Sequence, residues 1–402
     1  MHICIFSSRN ISENQLNWGG VHTHIKNLVS LLLNEGYEVS LITSGGEKTL
    51  NGALNIIPID CGHEGREDNL WFKRANEAFL NLQNAKPVDC VFSEGVAAFG
   101  LMKLMYDLKI PVVAFMHLLN IHYFYNIWQE VDGLISMKSY VFRSLPMFIY
   151  GIFMTDIPFL RKCQMVVTGA STIGRQIERF YRIPKEKISV VYNWVEPKQF
   201  SYDETSRHVV RKELGVLEDD VVFLLLGALS RKKGFRVALD SFEVLIKTVP
   251  NAYLFIAGEG PDILYFENHI RHSKKLSQRV QLLGLYPHEK LPSLFSSADI
   301  FIIPSLMNEV LPYTLLEAMS CELPVIASDI AANREALGDS GYFVPRGDIR
   351  SLTSAMSHFA SNLPQKRAEA ELLRKRVIEL FSYDVASKKI KDLLNEIPKK
   401  EN

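Results

Sequence analysis

Neither sign of charge predominates in this chain: Lys plus Arg and Asp plus Glu both number 45 in 402 residues. Without a basic excess there is no field of the kind that a dedicated nucleic-acid binder presents, so nucleic acid is not expected as a partner. Cysteine is scarce. Cys4, Cys61, Cys90, Cys163 and Cys321 are odd in number, scattered and never spaced as CxxC. That argues against a disulfide framework and a structural zinc site, and it suits a reducing cytoplasm. Uninterrupted apolar runs stay short of the roughly 18 residues that a spanning helix needs. The opening MHICIFSS lacks the basic start and cleavage site of a signal peptide and reads as a first strand. A GxGxxG fingerprint is also missing, because Gly258-Glu259-Gly260 continues without the third glycine. A Rossmann dehydrogenase is therefore disfavoured.

What is present is a folding pattern. The apolar set makes up 47% and charged residues 22%, ordinary for a folded chain. Short apolar runs alternate with longer helical stretches: HICIFSS, YEVSLITS, NIIPID, DCVFSEG, PVVAFMH, MVVTGAS and ISVVYN, then VVFLLLG, AYLFIAGEG, RVQLLGL, DIFIIPS, PVIASD and GYFVP. Near-continuous apolar strands between helices belong to parallel sheets covered on both faces. The expected class is α/β, with two doubly wound Rossmann-like domains. The rhythm breaks in a polar stretch between Asn193 and Asp220. The expected division is a first domain over 1–195, a second over 196–375 and a helical tail over 376–402. One apolar stretch, LPMFIYGIFMTDIPFL from Leu145 to Leu160, is interrupted by Pro146, Asp156 and Pro158 and flanked by Lys138, Arg143, Arg161 and Lys162. It reads either as a buried helix or as a membrane-facing patch over 141–162.

In doubly wound sheets ligands sit beyond the carboxyl ends of the strands, which directs the search for chemistry. After the first strand comes Trp18-Gly19-Gly20-Val21 and then a helical pattern. Paired glycines there permit close backbone approach and leave N–H groups to face an anion, although a plain tight turn has the same spelling. The fuller constellation is Pro304-Ser305, Glu309, Pro312 and Glu317, with seven residues between the two glutamates. Pro312 suits the first turn of a helix carrying Glu317. Amides around Leu311 to Thr314 would face the strand ends, where helix N-termini bind phosphate. Two acceptor-only carboxylates beside such a site suit sugar and ribose hydroxyls; solvated helix-start acids are the plain alternative. His22 and His24, two apart on one helix, do not share a face, so no metal site is expected from them.

The run NEVLPYTLLEAMSCELPVIASDIAANREAL resembles the E-x7-E signature of the family-four retaining glycosyltransferases of GT-B fold. GGVHTHIKNLVSLLLNEGYEVSLIT, VVTGASTIGRQIERFYRIPKEKISVVYNWVEPKQF and LLLGALSRKKGFRVALDSFEVL resemble further family segments and follow in family order. The resemblance implies a GT-B enzyme, its two domains facing a central cleft, that moves a sugar from a nucleotide-sugar donor to an acceptor hydroxyl with retention. The acceptor would be a sugar, glycolipid or other hydroxyl in polysaccharide or glycoconjugate synthesis, and the setting cytoplasmic, with peripheral contact at an inner membrane face. Glu317 would hold the ribose hydroxyls and Glu309 those of the donor sugar. Lys233 would neutralise the diphosphate, with main-chain donors at Leu311, Tyr313 and beside Pro312. Gly19, Gly20 and Gly227 would admit the phosphates closely, and His117 would stand by the reacting sugar. No DxD motif occurs, so no metal and no cofactor beyond the nucleotide-sugar is implied.

Some positions depart from the family pattern. Ala228 stands where an arginine is usual, with Arg231 or Lys232 as nearby substitutes; Trp194 and Glu196 alter the segment between the domains, and Glu322 replaces a frequent glycine. A sugar-nucleotide epimerase or phosphorylase on the same fold, or a degenerate binding scaffold, are the rival readings.

Overall fold

A computed structural model of the chain describes residues 1–9, 19–46, 48–62, 65, 67–117, 119 and 146–397. These fall into two compact units. One is drawn from Met1–Ile127, Asp132–Asn193 and Ala386–Asn402, the other from Trp194–Val385.

The first unit is built on eight strands: β1 His2–Ser7, β2 Glu38–Ser44, β3 Thr49–Asn51, β4 Leu54–Ile59, β5 Cys90–Glu94, β6 Val112–Met116, β7 Met165–Thr168 and β8 Ile188–Val190. They lie in the order β3-β4-β2-β1-β5-β6-β7-β8. Every pairing is parallel except β3 with β4. The middle strands are buried along their whole length, as their uninterrupted apolar spelling requires. β3 is the exception, short, exposed and at the sheet edge. Asp68 caps the helix Asn69–Ala85 by accepting from the amides of Leu70 and Trp71.

The second unit holds β9 Val221–Leu226, β10 Ala252–Ala257, β11 Val280–Gly284, β12 Ile300–Ile303, β13 Val325–Ser328 and β14 Tyr342–Val344, all parallel, in the order β11-β10-β9-β12-β13-β14. Phe223, Leu225, Leu239, Phe242, Ile256 and Phe266 are among its fully buried core side chains. A buried ionic cluster holds the entry helix Glu204–Glu213 to this sheet. Arg207 Nη2 donates to Asp299 Oδ1 at 2.8 Å and Arg211 Nη1 to Oδ2 at 3.3 Å, while the Val222 amide donates to the same carboxylate at 2.8 Å. Arg367 Nη2 also donates to Oδ1, and with four donors the carboxylate stays compensated inside the protein.

In both units the winding reverses once, between β1 and β5 in the first and between β9 and β12 in the second. Ligands of doubly wound sheets collect at that reversal, beyond the strand carboxyl ends.

The C-terminal residues are not set apart as a tail over 376–402. From Ala386 onward the helix Tyr383–Glu396 belongs to the first unit, where Lys391 Nζ pairs with Glu35 Oε2 at 2.6 Å and Lys389 Nζ donates to the Val190 carbonyl at 3.0 Å. The apolar stretch near residue 150 is helical from Pro146 to Lys162 and has two characters. Phe159 and Leu160 are buried, whereas Met147, Ile149, Tyr150, Phe153 and Met154 are exposed. Asp156, which interrupts it, is buried and accepts a hydrogen bond from the Tyr181 hydroxyl at 2.8 Å. None of the described helices is long and apolar enough to cross a membrane.

Candidate active site

In the second unit the loops after β9 and β12 leave neighbouring strands at the reversal. The β9 loop makes one tight turn, Arg231–Lys233, and ends on Gly234 at φ +70°. A Cβ at Gly234 would lie 2.0 Å from the Pro304 carbonyl oxygen, so only glycine lets the two loops cross. The Leu306 amide donates to the Lys232 carbonyl at 2.8 Å, tying the loops together one residue from Lys233. That crossing delivers Lys233 to Glu309: Lys233 Nζ meets Glu309 Oε2 at 2.5 Å. The Ser305 hydroxyl donates to the other oxygen, Oε1. Glu309 is 12% exposed and Lys233 34%, so the pair sits at the surface of the strand ends, within reach of a ligand.

Glu317 lies on the helix Tyr313–Ser320, and only 3% of its side chain is exposed. Its Oε1 faces His288 Nε2 at 3.3 Å, while Oε2 is buried without a hydrogen-bond partner. A buried carboxylate oxygen left unpaired costs about 1–3 kcal/mol or more, and a ligand hydroxyl would remove that cost. His288, itself half exposed and edge-on to Phe200 at 5.7 Å, is a neighbour that sequence reasoning did not single out. Its only signal is the strand-end position of Tyr286-Pro287-His288 after β11.

Pro312 is not in the first helical turn: its backbone is extended at φ −71°, ψ 133°, and the helix begins at Tyr313. A proline just before the helix withholds no amide that the helix needs. Leu311 and Tyr313 are buried, so main-chain groups are what they could present. Gly227 closes β9 at φ +146°, and Ala228 beyond it is exposed.

In the first unit Gly19 and Gly20 open the helix Gly20–Asn34, which follows β1. Both are exposed, and a Cβ at Gly20 would meet no protein atom within 4 Å. The chain's own packing therefore does not require a glycine at that position. His117 follows β6 and is joined by two residues assigned no role from sequence, Glu94 and His24. His117 Nε2 lies 2.6 Å from Glu94 Oε2, and His24 Nε2 lies 3.4 Å from Glu94 Oε1. Burial pushes the His24 imidazole down to about 4, so at neutral pH it is an uncharged ring. Burial also works against the Glu94 charge, but the imidazoles of His24 and His117 hold its carboxyl below the usual range. Among the described residues, His24, Glu94 and His117 form the group of metal-ligating type, their ligand atoms all within 4.8 Å. Two ligands sharing a tetrahedral zinc stand about 3.3 Å apart, so the 2.6 Å pair is a hydrogen bond as it stands.

Phe115 is buried in β6. Tyr123, Phe124, Tyr125 and Trp128, an aromatic cluster that follows His117 in the sequence, lie outside the described residues, as do Trp18, Lys138, Arg143 and residues 141–145 of the apolar patch.

The chain matches two family models, one after the other. "Glycosyltransferase Family 4" covers residues 18–199 and "Glycosyl transferases group 1" covers 206–375. An uncharacterised glycosyltransferase of Methanocaldococcus jannaschii is 24% identical over 92% of both chains. A UDP-Gal:alpha-D-GlcNAc-diphosphoundecaprenol alpha-1,3-galactosyltransferase of Escherichia coli is 26% identical over 52% of this chain and 54% of its own. Among solved structures, sucrose-phosphate synthase from Thermosynechococcus elongatus superposes with a TM-score of 0.80 at 17% identity, covering 98% of both chains. Anabaena HepE in complex with UDP-glucose gives 0.71 at 16%, covering 99% of this chain and all of that one. With two parallel-sheet α/β domains, GT-B neighbours and matches that run from Trp18 to Lys375, this chain belongs to the family-four, group 1 glycosyltransferases.

Proposed function

We propose that this glycosyltransferase moves a hexosyl group from a nucleotide-sugar to an acceptor hydroxyl with retention of configuration and without a metal. The observation that carries the reading is the pairing of Lys233 with Glu309 at the winding reversal of the second sheet, together with the unpaired buried oxygen of Glu317 on the helix Tyr313–Ser320. Departure of a nucleoside diphosphate builds negative charge on the leaving oxygen, and a lysine already at the strand ends can stabilise it. Lys233 turns from Glu309 to the diphosphate, and Glu309, still held by Ser305, accepts from donor-sugar hydroxyls. Glu317 Oε2 accepts from a ribose hydroxyl, with Leu311, Pro312 and Tyr313 supplying main chain near the phosphates. Gly227, Gly19 and Gly20 leave room for close approach, and His117 serves the reacting sugar.

The acceptor belongs to a glycolipid, polysaccharide or related glycoconjugate, and the enzyme works in the cytoplasm, peripherally at the inner membrane face. The support is the exposed apolar side of Met147, Tyr150, Phe153 and Met154, with the exposed Arg161 and Lys162 at its end.

The test is release of nucleoside diphosphate from a panel of UDP-, GDP- and ADP-sugars, with Glu317→Ala as control and EDTA in a parallel series. Release from one donor, abolished in the variant and indifferent to EDTA, is the expected result. Absence of both turnover and donor binding across the panel would favour a degenerate scaffold, with Ala228 as its cause. Turnover that EDTA abolishes would remove the metal-free mechanism.

A further inference from the structure

Glu94, His117 and His24 come from three separate elements. Glu94 ends β5, His117 follows β6, and His24 is on the helix after β1. The parallel order β1-β5-β6 brings them to one carboxyl edge, at the winding reversal of the first sheet. Glu94 is 4% exposed and His117 14%. A carboxylate buried this deeply is costly unless paired, which makes the pairing rather than the burial its reason to be there. His24 packs edge-on against the His117 ring with centroids 4.3 Å apart.

We propose that Glu94 is a positioning residue for His117, fixing the plane of its ring and its tautomer, with the His24 ring packed behind it. The inference rests on the reading that His117 serves the reaction. A carboxylate only accepts, so Nε2 of His117 carries the proton that the 2.6 Å bond requires. In the neutral ring the lone pair is then confined to Nδ1. Were the tautomers mixed, only part of the population would present that atom.

The experiment has two arms. In the first, protein labelled with ¹⁵N-histidine is examined at pH 8 by two-bond ¹⁵N–¹H correlation, with His117→Ala assigning the ring. The wild type should show His117 as a single Nε2–H form, and Glu94→Ala should show a mixture. A single Nε2–H form that survives in Glu94→Ala overturns the proposal whatever the enzyme's donor is. In the second arm, turnover of the donor identified by the panel is measured for His117→Ala, Glu94→Ala and Glu94→Leu. Glu94→Leu fills a similar volume, offers no acceptor and keeps the test alive if the alanine variant does not fold. Its kcat should fall on the order of 10- to 100-fold, the scale seen when the hydrogen-bond partner of a metal-bound imidazole is removed. The KM for donor should move by less than about threefold, since a group that acts through orientation alone leaves ground-state binding intact. Wild-type kcat in Glu94→Leu beside an inactive His117→Ala overturns the positioning role. Wild-type kcat in His117→Ala instead removes the catalytic reading of His117, and the spectra then decide the ring-fixing claim by themselves.

Discussion

Glu317 Oε2 is a buried oxygen with no hydrogen-bond partner beside a half-exposed histidine, and such an atom is a liability until a ligand hydroxyl meets it. Glu317→Ala should weaken donor binding by about 1.5–3 kcal/mol, the scale of a hydrogen bond to a charged group, and isothermal titration with the responsive nucleotide-sugar reads it. Lys233→Ala should instead act chiefly on turnover, lowering kcat on the order of a hundredfold, as when one donor to a developing anion is removed. A Lys233→Ala enzyme with unchanged kcat would mean that the leaving group is stabilised elsewhere. These residues were legible in the sequence because Glu309, Glu317 and Lys233 lie in local patterns: one fixed spacing and one short loop. Glu94 and His24 were not. They stand 23 and 93 residues from His117, and only the order of the strands, which spacing does not encode, makes them neighbours.

At the scale of elements, the crossing at Gly234 decides where Lys233 goes. Gly234→Ala would force an alanine into φ +70° and against the Pro304 carbonyl at 2.0 Å. The dihedral alone costs about 1–3 kcal/mol, and relieving the clash moves the β9 loop away from β12. We expect a lowered melting temperature together with lost turnover; full activity in a stably folded Gly234→Ala would show that the crossing does not set the lysine. The helix Pro146–Lys162 carries a different expectation. Phe153→Ser with Met154→Ser should reduce co-sedimentation with vesicles containing anionic lipid while leaving donor-sugar hydrolysis in solution unchanged, because the exposed apolar side is removed and the buried Phe159 and Leu160 stay. Equal sedimentation of wild type and variant would sink the membrane contact. Most strands were readable as elements because continuous Val, Ile, Leu and Phe runs have one stable home, the middle of a covered parallel sheet. β3 was not readable, being three exposed residues whose pairing with β4 comes from the turn between them and not from any apolar pattern. The Leu145–Leu160 run was ambiguous for a physical reason: in its described part Phe159 and Leu160 are core while Met147, Ile149, Tyr150, Phe153 and Met154 are exposed, so hydrophobicity alone could not assign it.

Among the described residues each unit has buried apolar side chains of its own, and the two units need not respond to acid alike. In the first unit, burial lowers His24 to about 4 from an ordinary 6.5. Between those values the unfolded chain takes up a proton at this site and the folded chain does not, so unfolding gains as pH falls and stability rises with pH. Glu94 acts in the same direction. Its carboxyl is held below the usual range in the folded state, so its contribution is present above the ordinary carboxylate pKa and is lost as pH falls through the lowered one. Amide hydrogen exchange resolved by peptide should therefore show β1, β5 and β6 losing protection as pH is lowered from about 6.5 toward 4, after correction for intrinsic exchange. The slope should flatten in His24→Leu, which removes the proton acceptor and keeps an apolar filling against Phe115 and His117. An undiminished slope in His24→Leu would assign the acid sensitivity of this unit to other groups. Stability that rises on acidification across that window would contradict the buried neutral state of His24 itself.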